Sequence, residues 1–194
     1  PLSNEISLLT GTSERLIELV KTQTVDIAIA CTKKIDESFF AQKYLFSEPS
    51  VLALPKEPRF EKDFFTWEEL RFCGLPFLRY NRFSGGSEMT ENFLNSLFIH
   101  LPNRIEVDDG GVMLKLICKG IGWSLVRPAT LVQHPDLAAQ VHFCKMPDPV
   151  MQREVILIFG KSVNPELVDT VETLSKSFYE AELSKEFKKI LQQK

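Results

Sequence analysis

Residues that could bind a small molecule are concentrated in two short stretches of the chain. Thr12 and Ser13 precede an amphipathic segment, so their hydroxyls and the free N–H groups of a helix start could hold a carboxylate. Ser84, Gly85 and Gly86 form a turn before a second helix, and adjacent glycines allow a ligand to approach the backbone closely. The alternative for each stretch is purely local, with helix capping at the first and a tight strand-to-helix turn at the second.

The residues just before the second turn could supply charge and an aromatic ring. Arg79 could bind a carboxylate through two parallel hydrogen bonds, and Tyr80 could cover a ring of the ligand. Arg82 and Phe83 offer the same two groups closer to the turn. Trp123 follows a Gly-x-Gly turn and could form a wall of the site. The alternatives are solvent exposure for the arginines and core packing for the aromatic side chains.

The residues usual in catalysis and metal binding form no recognisable set. None of the histidines lies beside a serine or cysteine in a nucleophile motif. The four cysteines form no pair with metal-ligand spacing. Three of them lie inside apolar runs and are predicted to be reduced and buried, namely Cys31, Cys73 and Cys118. We therefore predict no catalytic residues, no metal, no cofactor and no enzyme activity.

Composition limits the partners of the chain. Its 194 residues are 44% apolar and 25% charged, which suits one large domain or two small lobes. No apolar run approaches the roughly 18 residues that a membrane span needs. The net charge of −3 does not fit a chain that grips nucleic acid, because phosphate contacts require a basic surface. We predict that this chain alone does not bind duplex DNA specifically.

The elements that would position these residues alternate between strand and helix. Ile6–Leu9 is predicted to form a short strand, and the continuous apolar runs Asp26–Cys31 and Val155–Phe159 are typical of strands covered on both faces. Thr66–Glu69 fits a capping box, and Asn164 before a proline is a strong helix start. The alternation predicts an α/β architecture with mostly parallel sheets, which bind ligands at the carboxyl ends of their strands.

Three stretches, taken in order, resemble the effector domain of LysR-type transcriptional regulators. Leu9–Leu19 followed by Val25–Ile29 is similar to the family's strand, turn, helix and second strand. Glu48–Pro55 resembles its first crossover strand, and Val112–Val126 resembles its glycine-containing signature before a strand. The family usually has proline directly after that strand, whereas this chain has Arg127.

The resemblance implies a fold and a domain organisation. The family has the type 2 periplasmic-binding-protein fold, in which two Rossmann-like α/β lobes are joined by two crossover strands and the ligand lies in the cleft between them. Carried over to this chain, lobe one would comprise residues 1–49 and 151–194, and lobe two would comprise residues 50–150. Family domains begin with one further strand and helix before Ile6, so lobe one is expected to lack them.

The resemblance also implies a function. The chain would be the ligand-sensing domain of a cytoplasmic regulator, binding a small organic anion such as a carboxylate. DNA would be bound only through a separate winged-helix domain, and the full-length protein would form a homodimer or tetramer without contacting a membrane. The alternative is a periplasmic solute-binding protein of a transporter, which shares the fold.

Overall fold

The structure is a computed structural model that describes residues 6–31, 40–81, 85–102, 104–185 and 188. It divides into two compact units, the first within Pro1–Glu48 and Arg153–Ala181 and the second within Pro49–Gln152 and Glu182–Lys194. The resemblance to the LysR effector domain predicts lobe boundaries between residues 49 and 50 and between residues 150 and 151. Among the described residues, no helix has the length and apolar character that crossing a bilayer requires.

The first unit is a small sheet between two helices. Its elements are α1 (Ser13–Lys21), β1 (Ile27–Ala30), β2 (Phe40–Pro49, whose last residue belongs to the second unit), β8 (Gln152–Gly160, whose first residue belongs to the second unit) and α7 (Pro165–Phe178). The strand order is β1-β8-β2, and β1 runs antiparallel to β8. In β8, Ile156 and Ile158 pack with α1 whereas Val155 and Leu157 pack with α7. Both faces of β8 are therefore covered, which explains its continuous apolar run.

The second unit holds the other helices and a larger sheet. Its strands are β3 (Val51–Pro55), β4 (Phe77–Tyr80), β5 (Arg104–Val107), β6 (Ser124–Val126) and β7 (Val141–Lys145). Its helices are α2 (Trp67–Arg71), α3 (Gly85–Ser96), α4 (Gly110–Cys118), α5 (Pro128–Gln133) and α6 (Pro135–Ala138). A parallel bridge between Phe77 and Trp123 joins the β4–β5 pair to the β6-β3-β7 sheet. The strands therefore follow the order β5-β4-β6-β3-β7.

Two structural predictions are wrong. Ile6–Leu9 is not a strand, and the side chains of Ile6 and Leu8 are 79% and 89% exposed. An apolar run forms a strand only where a neighbouring strand completes its hydrogen bonds, and none pairs with this segment among the described residues. The sheets are also not mostly parallel, because β3 runs antiparallel to both β6 and β7, as β1 does to β8. A buried apolar run indicates coverage on both faces and carries no information on strand direction.

Candidate ligand-binding site

In the first unit, the start of α1 is tied to the end of β1 by hydroxyl groups. The Thr12 hydroxyl accepts the Arg15 N–H at 3.4 Å and so caps the helix. The Ser13 hydroxyl accepts the Cys31 N–H at 3.0 Å, which binds the helix start to the strand end. A hydroxyl that accepts one bond can still donate its own proton to an anion. This geometry suits both capping and ligand binding.

In the second unit, Tyr80 stands between the starts of two helices. A Cβ atom placed on Gly86, in the first turn of α3, would lie 3.9 Å from the Tyr80 ring. A Cβ atom placed on Gly110, the first residue of α4, would lie 3.1 Å from the Tyr80 hydroxyl and 2.8 Å from the Thr130 methyl group. Glycine at the start of α4 therefore makes room for the tyrosine, whereas the position of Gly86 would accept a Cβ atom at an ordinary contact distance. The structure brings Tyr80 and Gly86 together, as a shared binding site requires.

The same edge of the sheet carries the carboxyl ends of three strands. Because β4 pairs in parallel with β5, and β4 is bridged in parallel to the segment entering β6, their carboxyl ends share one edge. The helices α3, α4 and α5 follow these strands. Asp109 caps α4 through its side chain, which accepts the Val112 N–H at 2.9 Å. The longer helices α3 and α4 thus direct N–H groups of their first turns toward this edge.

Arg79 lies in an ion-pair network instead of projecting freely toward a ligand. Its guanidinium donates to Glu91 of α3 at 2.8 Å and also to Glu106 of β5, while Arg104 donates to Glu91 at 2.8 Å. Burial alone lowers the pKa of Arg79, but its hydrogen bonds to Glu91 and Glu106 outweigh burial and raise that pKa. The network fastens α3 to the β4–β5 pair, which gives Arg79 a structural task.

The remaining predicted residues are placed as follows. Trp123 is 1% exposed and packs on Phe77, with ring centroids 4.8 Å apart, so it belongs to the core of the second unit. It also lines a cavity of about 260 Å³, together with Leu70 and Leu101, at the amino ends of the strands. Gly85 begins α3. Three residues lie outside the described part of the chain, namely Arg82, Phe83 and Ser84.

Sequence reasoning about binding overlooked Arg127, which is only 7% exposed. This arginine follows β6 and precedes α5. Its Nη1 donates to the Ser50 hydroxyl at 2.8 Å, and its Nη2 lies 3.6 Å from the Met89 sulfur. The sequence does carry one indication of this residue. The family that the chain resembles usually has proline at this position, and a charged residue directly after a buried strand is unusual.

Two of the thiols are poorly suited to redox chemistry. Cys144 is buried, and burial raises the pKa of its thiol to about 12. Burial also raises the pKa of the Cys118 thiol. A high pKa leaves little of the reactive thiolate at neutral pH. Three cysteines are only partly buried, contrary to their predicted burial, and these are Cys31, Cys73 and Cys118.

Comparison with known proteins identifies a family. A family model described as the LysR substrate binding domain matches residues 3–175. No curated protein sequence matches the chain. Among the part of the chain that the structure describes, no group of three or more His, Cys, Asp and Glu side chains is arranged to hold a metal ion.

Several solved structures share the fold. A mutant of Corynebacterium glutamicum OxyR superposes with a TM-score of 0.78 at 13% identity, covering 95% of this chain and 57% of that one. The reduced OxyR regulatory domain of Pseudomonas aeruginosa gives 0.71 at 17% identity, with 86% and 79% covered. The Synechocystis CcmR regulatory domain, in complex with 2-PG, gives 0.72 at 15% identity, with 89% and 82% covered. The chain thus spans little more than half the length of the first of these proteins.

Proposed function

The chain belongs to the LysR substrate-binding domain family, and we propose that it is the ligand-sensing part of a DNA-binding transcriptional regulator. The family match covers most of the chain and favours this function over that of a transporter's solute-binding protein. DNA contact belongs to a separate winged-helix domain, since this chain carries a net charge of −3. The regulator works in the cytoplasm as a homodimer or tetramer, and this domain acts as a sensor and not as an enzyme.

The ligand is a small organic anion, such as a carboxylate or a phosphate ester. The CcmR regulatory domain in complex with 2-PG is a structural relative that holds a small acid. The first turns of α1 and α3 each present N–H groups that lack intrahelical partners, equivalent to roughly half a positive charge apiece. We propose each of these helix starts as a contact for the anion.

The observation that carries this proposal is the position of Tyr80 between two glycine-started helices. Tyr80 is half-buried against the core of the second unit, and its ring lies beside Gly86 and its hydroxyl beside Gly110. The phenol combines an apolar face with a hydrogen-bonding tip, which suits a ligand that carries both a carbon skeleton and an acid group. Thr12 and Ser13 supply hydroxyls from the first unit.

Calorimetry on variants of the two helix starts tests the proposal. Thr12→Ala and Gly86→Val are titrated with 2-phosphoglycolate, succinate and benzoate, alongside Thr173→Ala as an exposed control on α7. We expect an acid that binds the wild-type chain to bind both site variants more weakly by at least about 1 kcal/mol, the value of one neutral hydrogen bond. If neither variant weakens binding while the control is unchanged, the acid binds elsewhere and the proposed site is wrong.

A further inference from the structure

We infer that Arg127, and not Arg79, supplies the full positive charge that binds the acid group of the ligand. This inference rests on the proposed function and names the residue that selects for an anion. It begins from the sequence difference noted above, in which a charged side chain replaces the proline of the resembling family. The position directly follows β6, whose carboxyl end lies on the same edge as that of β4.

The two arginines differ in what surrounds their guanidinium groups. Arg79 is held between two carboxylates, those of Glu91 and Glu106, so an incoming anion would compete with two fixed negative charges. The contacts of Arg127 include a hydroxyl and a thioether, those of Ser50 and Met89, neither of which carries a charge. Arg79 is therefore the less suitable of the two arginines for binding an anion.

Met89 places the Arg127 guanidinium at the proposed site. Met89 lies one turn into α3, and helix side chains lean toward the helix start. Its sulfur, 3.6 Å from the Arg127 Nη2, therefore connects the arginine to the turn that contains Gly86. The N–H groups of this turn and a guanidinium then serve the same anion.

The geometry of a guanidinium indicates the class of ligand. Its five N–H donors form a planar fork that matches the oxygen pairs of carboxylates and phosphates. At 7% exposure the group is largely removed from water, where charge-assisted hydrogen bonds are stronger than at the surface. Ser50, which accepts from Nη1, orients the fork and lies between β2 and β3 in the segment joining the two units. The ligand class is therefore an acid with a planar or tetrahedral oxyanion.

Three variants separate a binding role from a structural one. Arg127→Gln removes the charge but can still hydrogen-bond to Ser50, and Arg127→Lys keeps the charge but loses the planar fork. Arg71→Met removes an exposed positive charge from the same unit and serves as the control. Each chain is titrated with 2-phosphoglycolate, succinate and benzoate, and with succinamide and benzamide as neutral counterparts. Calorimetry gives the affinity, and thermal melting gives the midpoint with and without each compound.

The expected result is a selective loss of acid binding. Arg127→Gln should bind the acids roughly tenfold to a hundredfold more weakly, as expected for losing a hydrogen bond to a charged group. Arg127→Lys should be roughly threefold to tenfold weaker, and Arg71→Met should match the wild type. The amides should respond weakly in every chain, because they lack the charge.

Other results overturn the inference. If Arg127→Gln has a lower melting midpoint but an unchanged response to acids, then Arg127 is structural and the inference is wrong. Should Arg127→Gln fail to fold, full acid affinity in Arg127→Lys would contradict the bidentate contact. If the wild-type chain responds to none of the acids at millimolar concentration, the proposed anion sensing fails and the inference falls with it. Binding that survives both substitutions refutes only the role of Arg127.

Discussion

The starts of α1 and α3 have similar sequences but are built differently. At α1, the Thr12 and Ser13 hydroxyls take the N–H groups of Arg15 and Cys31, so the turn is held by short polar contacts within its own unit. At α3, Gly86 lies beside the Tyr80 ring, and a nearby arginine is almost completely buried. The first start offers hydroxyls and backbone N–H groups, whereas the second offers an aromatic ring and a nearby guanidinium charge.

This difference indicates which helix start is expected to determine ligand selectivity. Hydroxyl and backbone N–H groups can donate hydrogen bonds to many different anions, because they carry no full charge and place few restrictions on the shape of the ligand. A tyrosine lodged between two helix starts and a desolvated arginine impose both. The start of α3 should therefore discriminate between acids more sharply than the start of α1 does.

Crowding the two sites with the same substitution should have very different effects. At Gly110 a Cβ atom would lie 2.8 Å from the Thr130 methyl group, so Gly110→Val should lower the free energy of unfolding by about 1–3 kcal/mol and displace Tyr80. At Gly11 the nearest atom, 3.3 Å away, belongs to the flexible side chain of Arg15, so Gly11→Val should cost less than about 0.5 kcal/mol. Urea denaturation measures both, and equal losses would contradict the comparison.

The ion-pair network should matter in the second unit more than a surface pair does in the first. Glu91→Gln leaves Arg79 and Arg104 without their shared carboxylate and should cost about 1–2 kcal/mol, because all three side chains are largely buried. The matched change Glu18→Gln removes an exposed pair with Lys21 and should cost less than about 0.5 kcal/mol. Denaturation of the two variants at neutral pH provides the test, and a larger loss from the Glu18 change would reverse the expected order.

Acid should weaken the same network. Burial by itself raises the pKa of Glu91, but hydrogen bonds from Arg79 and Arg104 outweigh it and hold the pKa below its ordinary value of 4.5. Because the folded pKa is the lower one, the stabilisation is fully present above pH 4.5 and is lost as pH falls through the folded value. As the pH is lowered through this range, the denaturation midpoint should fall more steeply for the wild type than for Glu91→Gln. Parallel curves would show that the ionised Glu91 carboxylate does not contribute to stability.

Loss of the α1 cap should give a smaller change. Thr12→Ala removes the acceptor of the Arg15 N–H and should lower the free energy of unfolding by about 0.5–1 kcal/mol. Thr12→Ser retains a hydroxyl at the cap and should recover most of that loss. If alanine and serine are equally stable, the capping contact contributes nothing and the hydroxyl is free for ligand alone.

Gly86→Ala should separate stability from binding. The added Cβ atom would meet only the Tyr80 ring at an ordinary 3.9 Å, and alanine favours helix over glycine, so the chain should gain up to about 0.5 kcal/mol. The same methyl group narrows the approach to the backbone, so acid affinity should fall. A variant that is more stable and binds acid as well as the wild type would show that the α3 start is not used.

Features encoded within a few residues could be predicted from the sequence. The capping box of Thr66 and Glu69 is confirmed, and so is the helix cap Asn164, because each pairs a side chain with an N–H group two or three residues away. The overall α/β class and the family were likewise predicted. The wrong strand at Ile6–Leu9 came from the same local reasoning, since strand formation depends on a distant partner.

The contacts that distinguish the two arginines could not be predicted, because they are far apart in sequence. Arg79 meets Glu106 across 27 residues, and Arg127 meets Ser50 across 77. Nothing near either arginine specifies these partners, which are brought together by the pairing of β4 with β5 and of β3 with β6. Sequence chemistry therefore identified arginine as the expected anion-binding residue but favoured Arg79.

The most direct test of the account is an NMR titration of the isotope-labelled chain with 2-phosphoglycolate, succinate and benzoate. The account predicts that an acid that binds shifts the backbone amides of the helix starts, namely Ser13 and Glu14 in the first unit and Gly86 and Ser87 in the second. Shifts at neither start, or shifts centred on the cavity lined by Leu70, Leu101 and Trp123, would contradict it.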